Sequence, residues 1–574
     1  MVTVSNKNRF SAIAVLISRL TARTRNLALC AIILCGLIVN ANTLFNDFVY
    51  DDHVQIMNNP WITNIKHIPE IFSTDAVYTG NGQASNYYRP IVRIICMMNY
   101  YVFGGIHSWA FHLVNIIFHV GISIILFFMT SLLVRSVTSE PDNHFFSFPF
   151  VSALVFSLHP IHADVVAWAG GVSELSFTFF CMLSLYFYMG TLHAFDRKHV
   201  LALVFFGLSI FTKETAVTLL PILACYDALF RTDKMATRRT IMRYAPFGAI
   251  LGMYLVIRFN ILGGMAPVSR HPELNTFEVI INVIPLFSQY LEKLLIPINL
   301  NVFYVLHPVH SITELRWLFS LVIVIIFGLL GYVFHKKNKS ALLGFVIITI
   351  PLLPALYIRG VGEDTFADRY LYFPTIGFAI IAGSIISSEA IAGKSRRKLL
   401  SILLWAVLGV YAIGTIHRNM VWKNDLSLWS DSVQKSPDSY FVQQWVGAAL
   451  LNDRRYGESI GHLKTALQLN PTYELTYISL AEAYAISGQR DESLRVLHAC
   501  VAASPKPSNC HNNIGALLFE NNLLKEAIEE FQLAIQLNPS LTTAYNGLYQ
   551  AYALLGMQDK SLEYYKKGLL IITK

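Results

Sequence analysis

Two adjacent carboxylates, Asp51 and Asp52, follow the first apolar run of the chain in the string Phe48-Val49-Tyr50-Asp51-Asp52. A pair of acids can keep one member ionised as a general base while the other orients it or holds a metal. A helix N-cap at the end of a span explains one aspartate better than two. Arg89, in Tyr87-Tyr88-Arg89-Pro90, and Arg369, in Ala367-Asp368-Arg369-Tyr370-Leu371-Tyr372, set a guanidinium among aromatic residues. That combination suits an anionic phosphate, with Asp368 either supporting Arg369 or neutralising it. Lys213-Glu214 offers a further cation with its own counter-charge. His159-Pro160-Ile161-His162 is followed by Asp164 and Glu174. These imidazoles can donate to phosphate oxygens or shuttle protons, and they can equally cap helices. His307-Pro308-Val309-His310 repeats the pattern and is read as structural. No His-Glu-x-x-His string is present, so a divalent metal is allowed but not favoured.

Such a set fits group transfer from a lipid-linked phosphate donor. Asp51 or Asp52 would deprotonate an attacking hydroxyl. Arg89, Arg369, His159, His162 and Lys213 would hold the phosphate, with Glu174, Glu214 and Asp368 in support. The leaving group, a lipid phosphate, needs cations rather than an acid.

These residues must be positioned by membrane helices. The chain has 574 residues, of which 54% are hydrophobic and 14% charged, against about 25% charged in soluble domains. Its apolar residues gather in runs of roughly 18 or more, long enough to cross a bilayer. The net charge of +8 sits mainly in short loops, which is a topology signal rather than a nucleic-acid footprint. Eleven spans are expected, at 27–45, 109–134, 148–161, 171–192, 200–212, 215–230, 244–261, 315–334, 341–357, 367–388 and 399–417. A basic tail, 1–26, precedes them, and no cleavable signal is evident. With that tail inside, Arg197–Lys198, Arg231–Arg243, His335–Lys339 and Lys394–Lys398 all fall on the cytoplasmic side. The acidic pair and the arginines then share the outer face. Two long outer loops, 46–108 and 262–314, carry amphipathic stretches, and Val283–Val305 is expected to lie in the interface or re-enter.

Beyond the membrane body, Pro437, Pro471, Pro505 and Pro539 recur every 34 residues, the period of tetratricopeptide repeats. Four helix-turn-helix units are expected over 440–574, after a degenerate connector at 418–439 that carries Trp422 and Trp429. Gly447, Ala481 and Gly515 are placed for close packing, and Gly488 and Gly556 for the turns. Cys500 and Cys510 are read as two core thiols rather than a pair. A solenoid of this kind binds protein segments or serves as a spacer.

Taken together, Phe48–Asp52, Tyr88-Arg89-Pro90, Phe111-His112-Leu113-Val114-Asn115, His159–Glu174, Lys213-Glu214, Asp368–Tyr372 with Pro374 and Gly377, and the trailing repeats resemble the transmembrane-and-tetratricopeptide (TMTC) O-mannosyltransferase family and its bacterial relatives, within the GT-C glycosyltransferases. The resemblance implies an all-α GT-C-like bundle of about eleven spans followed by the solenoid. It implies a polyprenyl- or dolichyl-phosphate mannose donor, transfer with inversion to protein Ser or Thr, and a catalytic base at Asp51 or Asp52. The repeat array is short beside that of animal members. This points to a bacterial inner membrane with the repeats in the periplasm; an endoplasmic reticulum membrane with lumenal repeats is the topological equivalent. A non-enzymatic membrane scaffold that displays repeats for envelope complexes is the alternative function. A transporter of lipid-linked sugars fits less well, because the ionisable groups gather at one face.

Overall fold

A computed structural model describes residues 23–75, 87–137, 147–231, 237–264, 271, 273–359, 365–387 and 394–572. Most of the basic tail, residues 232–236 of the Arg231–Arg243 loop and parts of both long outer loops lie outside them. Among the described residues the chain is all helical, with no strand. It divides into two compact units, and the boundary in the main run of chain falls between Asn424 and Asp425.

The first unit is built from α1 (Arg23–Phe45), α2 (Pro90–Phe103), α3 (Ser108–Val137), α4 (Phe148–Leu158), α5 (Val172–Met189), α6 (Arg197–Thr212), α7 (Leu219–Phe230), α8 (Thr237–Leu262), α9 (Val283–Leu295), α10 (Leu315–Lys337), α11 (Lys339–Leu352), α12 (Pro374–Ile386) and α13 (Lys394–Val421). A helix stands at each of the eleven expected spans, but they are not equal. Seven are long and apolar enough to cross a membrane: α1, α3, α5, α8, α10, α11 and α13. Counting α4 together with the bent turn Pro160–Val166, which meets it at 48°, gives eight. Pro160 lacks the amide that would carry α4 onward, so the bend falls there. The remaining three spans are the 16-residue α6, the 12-residue α7 and the 13-residue α12. All are shorter than the roughly 20 residues a full crossing takes.

Helices α11 and α12 cross with backbones touching. A Cβ on Gly377 would collide with the Gly344 carbonyl, and one on Gly344 would lie 2.6 Å from the Gly377 carbonyl. That approach fixes the start of α12 and the Asp368–Leu371 turn before it. The expected interfacial segment divides at Ile296. Its first part is α9, which buries Leu286, Phe287, Tyr290, Leu291 and Leu294 on one face.

The second unit opens with α14 (Asp425–Lys435) and continues in four helix pairs, α15 (Tyr440–Asn452) with α16 (Tyr456–Leu469), α17 (Glu474–Ile486) with α18 (Arg490–Ala503), α19 (Ser508–Glu520) with α20 (Leu524–Leu537), and α21 (Thr542–Leu554) with α22 (Gln558–Ile572). Every pair turns through a left-handed residue at the same phase: Arg454 (φ 63°), Gly488 (81°), Asn522 (61°) and Gly556 (74°). Glycine is the inexpensive choice there, and two units manage without it. Three units also tie their helices with a hydroxyl. Ser459 donates to the Gly447 carbonyl at 2.8 Å, Ser493 to Ala481 at 2.8 Å and Ser561 to Tyr549 at 3.0 Å.

Two expectations for this region change. The connector is not one element: Arg418–Val421 completes α13, whereas Trp429 on α14 stacks on Trp445 at 5.7 Å. Cys500 and Cys510 are joined in a disulfide. Cys500 lies near the end of α18 and Cys510 near the start of α19, so the short turn between the helices brings the sulfurs together.

Candidate active site

The acidic loop is fastened before it reaches its carboxylates. The Asn46 side-chain amide donates to the carbonyls of Ala167 and Asn419, at 3.4 and 3.2 Å. The Asp47 amide donates to the Lys423 carbonyl at 2.8 Å. Tyr50 then takes a left-handed backbone, φ 55°, an uncommon state for a bulky residue. After this turn the two acids diverge. Asp51 is exposed and Asp52 is fully buried. The Asp52 carboxylate accepts the amides of Val49 at 3.1 Å and Gly170 at 2.8 Å. Burial pushes it up to about 8, against the pull of those two amides. Gly170 is needed for this approach: a Cβ there would sit 2.7 Å from the Trp168 ring and 3.1 Å from the Asp52 oxygen. Asn115 holds the same loop by donating to the Trp168 carbonyl at 2.7 Å.

From Trp168 a line of cations and rings leads away from the acids. The Arg369 guanidinium lies 6.0 Å from the Trp168 ring and 5.4 Å from the Tyr370 ring. Lys213 Nζ lies 5.2 Å from the other neighbour of this line, again the Tyr370 ring. The Arg369 amide donates to Asp164 at 2.8 Å, which fixes the turn carrying both residues.

The line ends at a cavity of about 210 Å³ whose walls include Arg89, Glu174, Lys213, Glu214, Arg258 and Tyr370. Lys213 pairs with Glu174, and both are buried. Arg89 grips Glu214 with two nitrogens, at 2.7 and 3.2 Å, while Arg258 stands 3.8 Å from the same carboxylate. Burial opposes ionisation of Glu214, and the Arg89 guanidinium overrides it, holding the acid at about 2. Three cations against two carboxylates leave one positive charge in excess.

The structure thus brings Arg89, Lys213, Glu174 and Glu214 to one cavity, with Arg369 between it and the acidic loop. It does not bring the histidines there. His159 accepts the Ile161 amide at 3.3 Å and its other nitrogen meets the Leu294 carbonyl at 3.1 Å. His162 is buried among Phe156, Tyr372 and His119, with ring centroids 4.5 to 5.2 Å away. His159 caps the turn that follows it, His162 is enclosed by rings, and neither lines the cavity. Asp368 also turns aside, accepting the Tyr304 hydroxyl at 2.9 Å and the Asn301 amide at 3.2 Å. His310 meets Glu278 at 2.7 Å, in keeping with a structural role.

Arg258, inside the expected span 244–261, also lines the cavity; a lone arginine inside a span is itself a functional signal. Trp168 and Gly170 were enclosed by the His159–Glu174 motif without being given roles.

Fold and site together define a polytopic helical membrane protein that carries tetratricopeptide repeats, with an acidic loop and a cationic cavity at one end of its bundle. A tetratricopeptide-repeat family model matches residues 508–541. Curated proteins similar over most of the chain include TMTC-type protein O-mannosyl-transferases. Protein O-mannosyl-transferase F38B6.6 of Caenorhabditis elegans is 27% identical over 464 residues, covering 78% of this chain and 63% of the relative. Protein O-mannosyl-transferase TMTC3 of Homo sapiens is 22% identical over 592 residues, covering 92% and 62%. The chain therefore spans less than two thirds of the length of these relatives. Among solved structures, a crystal structure of MamA protein matches 25% of this chain and 80% of its own at 19% identity and a TM-score of 0.22, too low to carry weight.

Proposed function

We propose that the chain transfers mannose from a polyprenyl- or dolichyl-phosphate donor to Ser or Thr hydroxyls of proteins. The observation that carries this reading is the cavity with one net positive charge, joined to the acidic loop through Arg369. A lipid-phosphate sugar is a phosphodiester with a single negative charge, which matches that excess. On transfer the acceptor O–H loses its proton to a carboxylate, and its oxygen attacks the anomeric carbon from the face opposite the phosphate. The carbon–phosphate oxygen bond breaks, and the electron pair leaves with the lipid phosphate. The leaving group gains charge at this step, and Arg89, Lys213 and Arg258 are already in place to receive it.

The geometry separates the two acids. Asp52 is committed to two backbone amides, so its part is to hold the loop against Gly170. Asp51, exposed beside it, takes the role of base. Arg369 lies between base and cavity, where the sugar would sit. The cations supply the charge stabilisation, so the reaction as proposed runs without a metal. The Cys500–Cys510 disulfide supports repeats placed in an oxidising compartment, periplasm or lumen. There they would hold the acceptor protein or a partner.

The test is a transfer assay with purified protein in lipid, radiolabelled polyprenyl-phosphate mannose and an extract of secreted proteins. Label should enter protein with the wild type and not with Asp51→Asn. If no polyprenyl-phosphate sugar is turned over, the scaffold reading takes its place.

A further inference from the structure

One face of α3 reaches three separate segments around the site. Phe111, Asn115 and His119 follow one another at four-residue steps on it, all buried, and they span about 12 Å of helix. The Phe111 ring meets Phe48, in the acidic string, edge-on at 5.5 Å. The Asn115 side-chain amide donates to the Trp168 carbonyl at 2.7 Å and reaches the Val166 carbonyl at 3.5 Å. His119 Nε2 meets the Ser157 carbonyl at 3.1 Å. A carbonyl only accepts, so this nitrogen carries the proton. Its Nδ1 therefore accepts from the Tyr372 hydroxyl at 2.7 Å, and the Tyr372 amide donates to the Arg369 carbonyl at 3.2 Å.

These contacts converge on the acids and on Arg369. Phe48 directly precedes Val49, whose amide holds Asp52, and Trp168 stands just before Gly170, whose amide holds the same carboxylate. The helix thus grips both sides of the Asp52 cradle, and Asp51 is the neighbouring residue of the chain. At its other end the same face grips the turn that carries Arg369. The acidic loop and the Arg369 turn belong to distant parts of the sequence, and a regular helix touching both keeps them at a fixed separation.

We infer that this face of α3 sets the distance between the base and the cations, and that Asn115 is a positioning residue for Asp51 that acts through the Gly170–Asp52 contact. The inference rests on the transferase reading above. Asn115 is fully buried and lies outside the cavity wall, so it touches no substrate. Its loss slows the reacting step and leaves donor binding alone.

The experiment uses the full chain in lipid nanodiscs with polyprenyl-phosphate mannose and an extract of secreted proteins as acceptor. Asn115→Leu nearly keeps the shape of the side chain but cannot donate. It should lower kcat about 10²-fold, the cost of misplacing reacting groups by about 1 Å, with the donor KM unchanged. Gly170→Ala, which sets a Cβ 2.7 Å from the Trp168 ring, should give the same signature from the other side of the contact. The double variant should lose little more than either single one, because both act through one contact. Tyr372→Phe removes only the hydroxyl that His119 accepts and should lower kcat about fivefold, the worth of one neutral hydrogen bond. Hydrogen exchange reads the contact without turnover: the Gly170 amide should exchange faster in Asn115→Leu.

Wild-type kcat in a folded Asn115→Leu protein, a raised donor KM with kcat intact, or additive losses in the double variant would overturn the positioning role while leaving the transferase reading standing. A wild-type protein that transfers no sugar, with Gly170 exchange still accelerated in Asn115→Leu, would keep α3 as the clamp of the acidic loop and remove the transferase. No transfer together with unchanged exchange would remove both.

Discussion

At the far end of α5 from Glu174, another carboxylate gathers buried partners. Asp227 accepts from the hydroxyls of Tyr188 and Tyr244 at 2.6 and 2.8 Å and from Arg231 at 2.6 Å, with Arg243 at 3.6 Å. The arginines there spend further donors on carbonyls: Arg231 on Tyr188 and Thr191, Arg243 on Leu192. The cluster ties the ends of α5, α7 and α8 together. At the Asp51 end the same residue types are arranged differently. Arg89, Lys213 and Arg258 face two carboxylates across a cavity. Each end has one more cation than carboxylate, two arginines against Asp227 at the one and three cations against two acids at the other. At the Asp227 end the arginines turn to backbone carbonyls and hold helices together. At the Asp51 end the cations line open space, where a ligand can meet them.

That contrast can be broken at several points. The largest effect is expected from Asp51→Asn, which should lower transfer about 10²- to 10⁴-fold, the range for loss of a general base, with unfolding unchanged. Asp227→Asn should do the reverse, lowering thermal stability while each folded molecule keeps its kcat/KM. Equal kinetic losses at both ends would erase the distinction between them.

Lys213→Ala leaves Glu174 buried without its partner and should cost about 3–5 kcal/mol of stability, read from thermal unfolding in detergent. Lys213→Met combined with Glu174→Leu should recover most of that stability but not the transfer activity. If activity returned as well, the pair would be a strut like Asp227 rather than part of the site. Arg258→Gln should weaken donor binding by about 1.5–3 kcal/mol, the share of a charged hydrogen bond, seen as a higher KM for the donor with kcat less affected.

A smaller effect concerns Asp52. Its folded carboxyl is raised from 3.8 to about 8, so the folded state holds the proton more tightly than the unfolded chain. Its contribution is full below about 3.8, declines as pH rises and levels off above about 8. Asp52→Asn should flatten the dependence of melting temperature on pH in that window. A slope identical to that of the wild type would mean that Asp52 is ionised in the folded protein at neutral pH. The smallest expected effect is that of EDTA, which should leave transfer unchanged; restoration of lost activity by a divalent ion would require a metal beside the cations.

Much of this was legible in the sequence because it is local. The 34-residue step survives any tertiary arrangement, and each unit repeats its turn at the same phase even where Arg454 and Asn522 replace glycine. Arg89, Lys213 and Arg369 stood out because charges beside apolar runs are costly. What was hidden depended on partners far along the chain. The acids Asp51 and Asp52 could not be told apart, because the amide that buries Asp52 belongs to Gly170, more than a hundred residues away. His159 and His162 looked like ligands, since nothing nearby in sequence announces Leu294 or Tyr372 as their neighbours. Arg258 was concealed by the apolar residues around it, and the disulfide by a spacing that makes sense only once a helix ends between Cys500 and Cys510.

The left-handed turn at Tyr50 also governs which changes the acidic motif would tolerate. Asp51 points outward, so a glutamate there lengthens a side chain that has room to fold back. Asp52 must place both oxygens on two fixed amides, and one additional methylene would drive the loop off Gly170. Among natural variants, exchange between the two acidic amino acids should therefore be found at the first position and be rare at the second, although the two letters are the same in this chain.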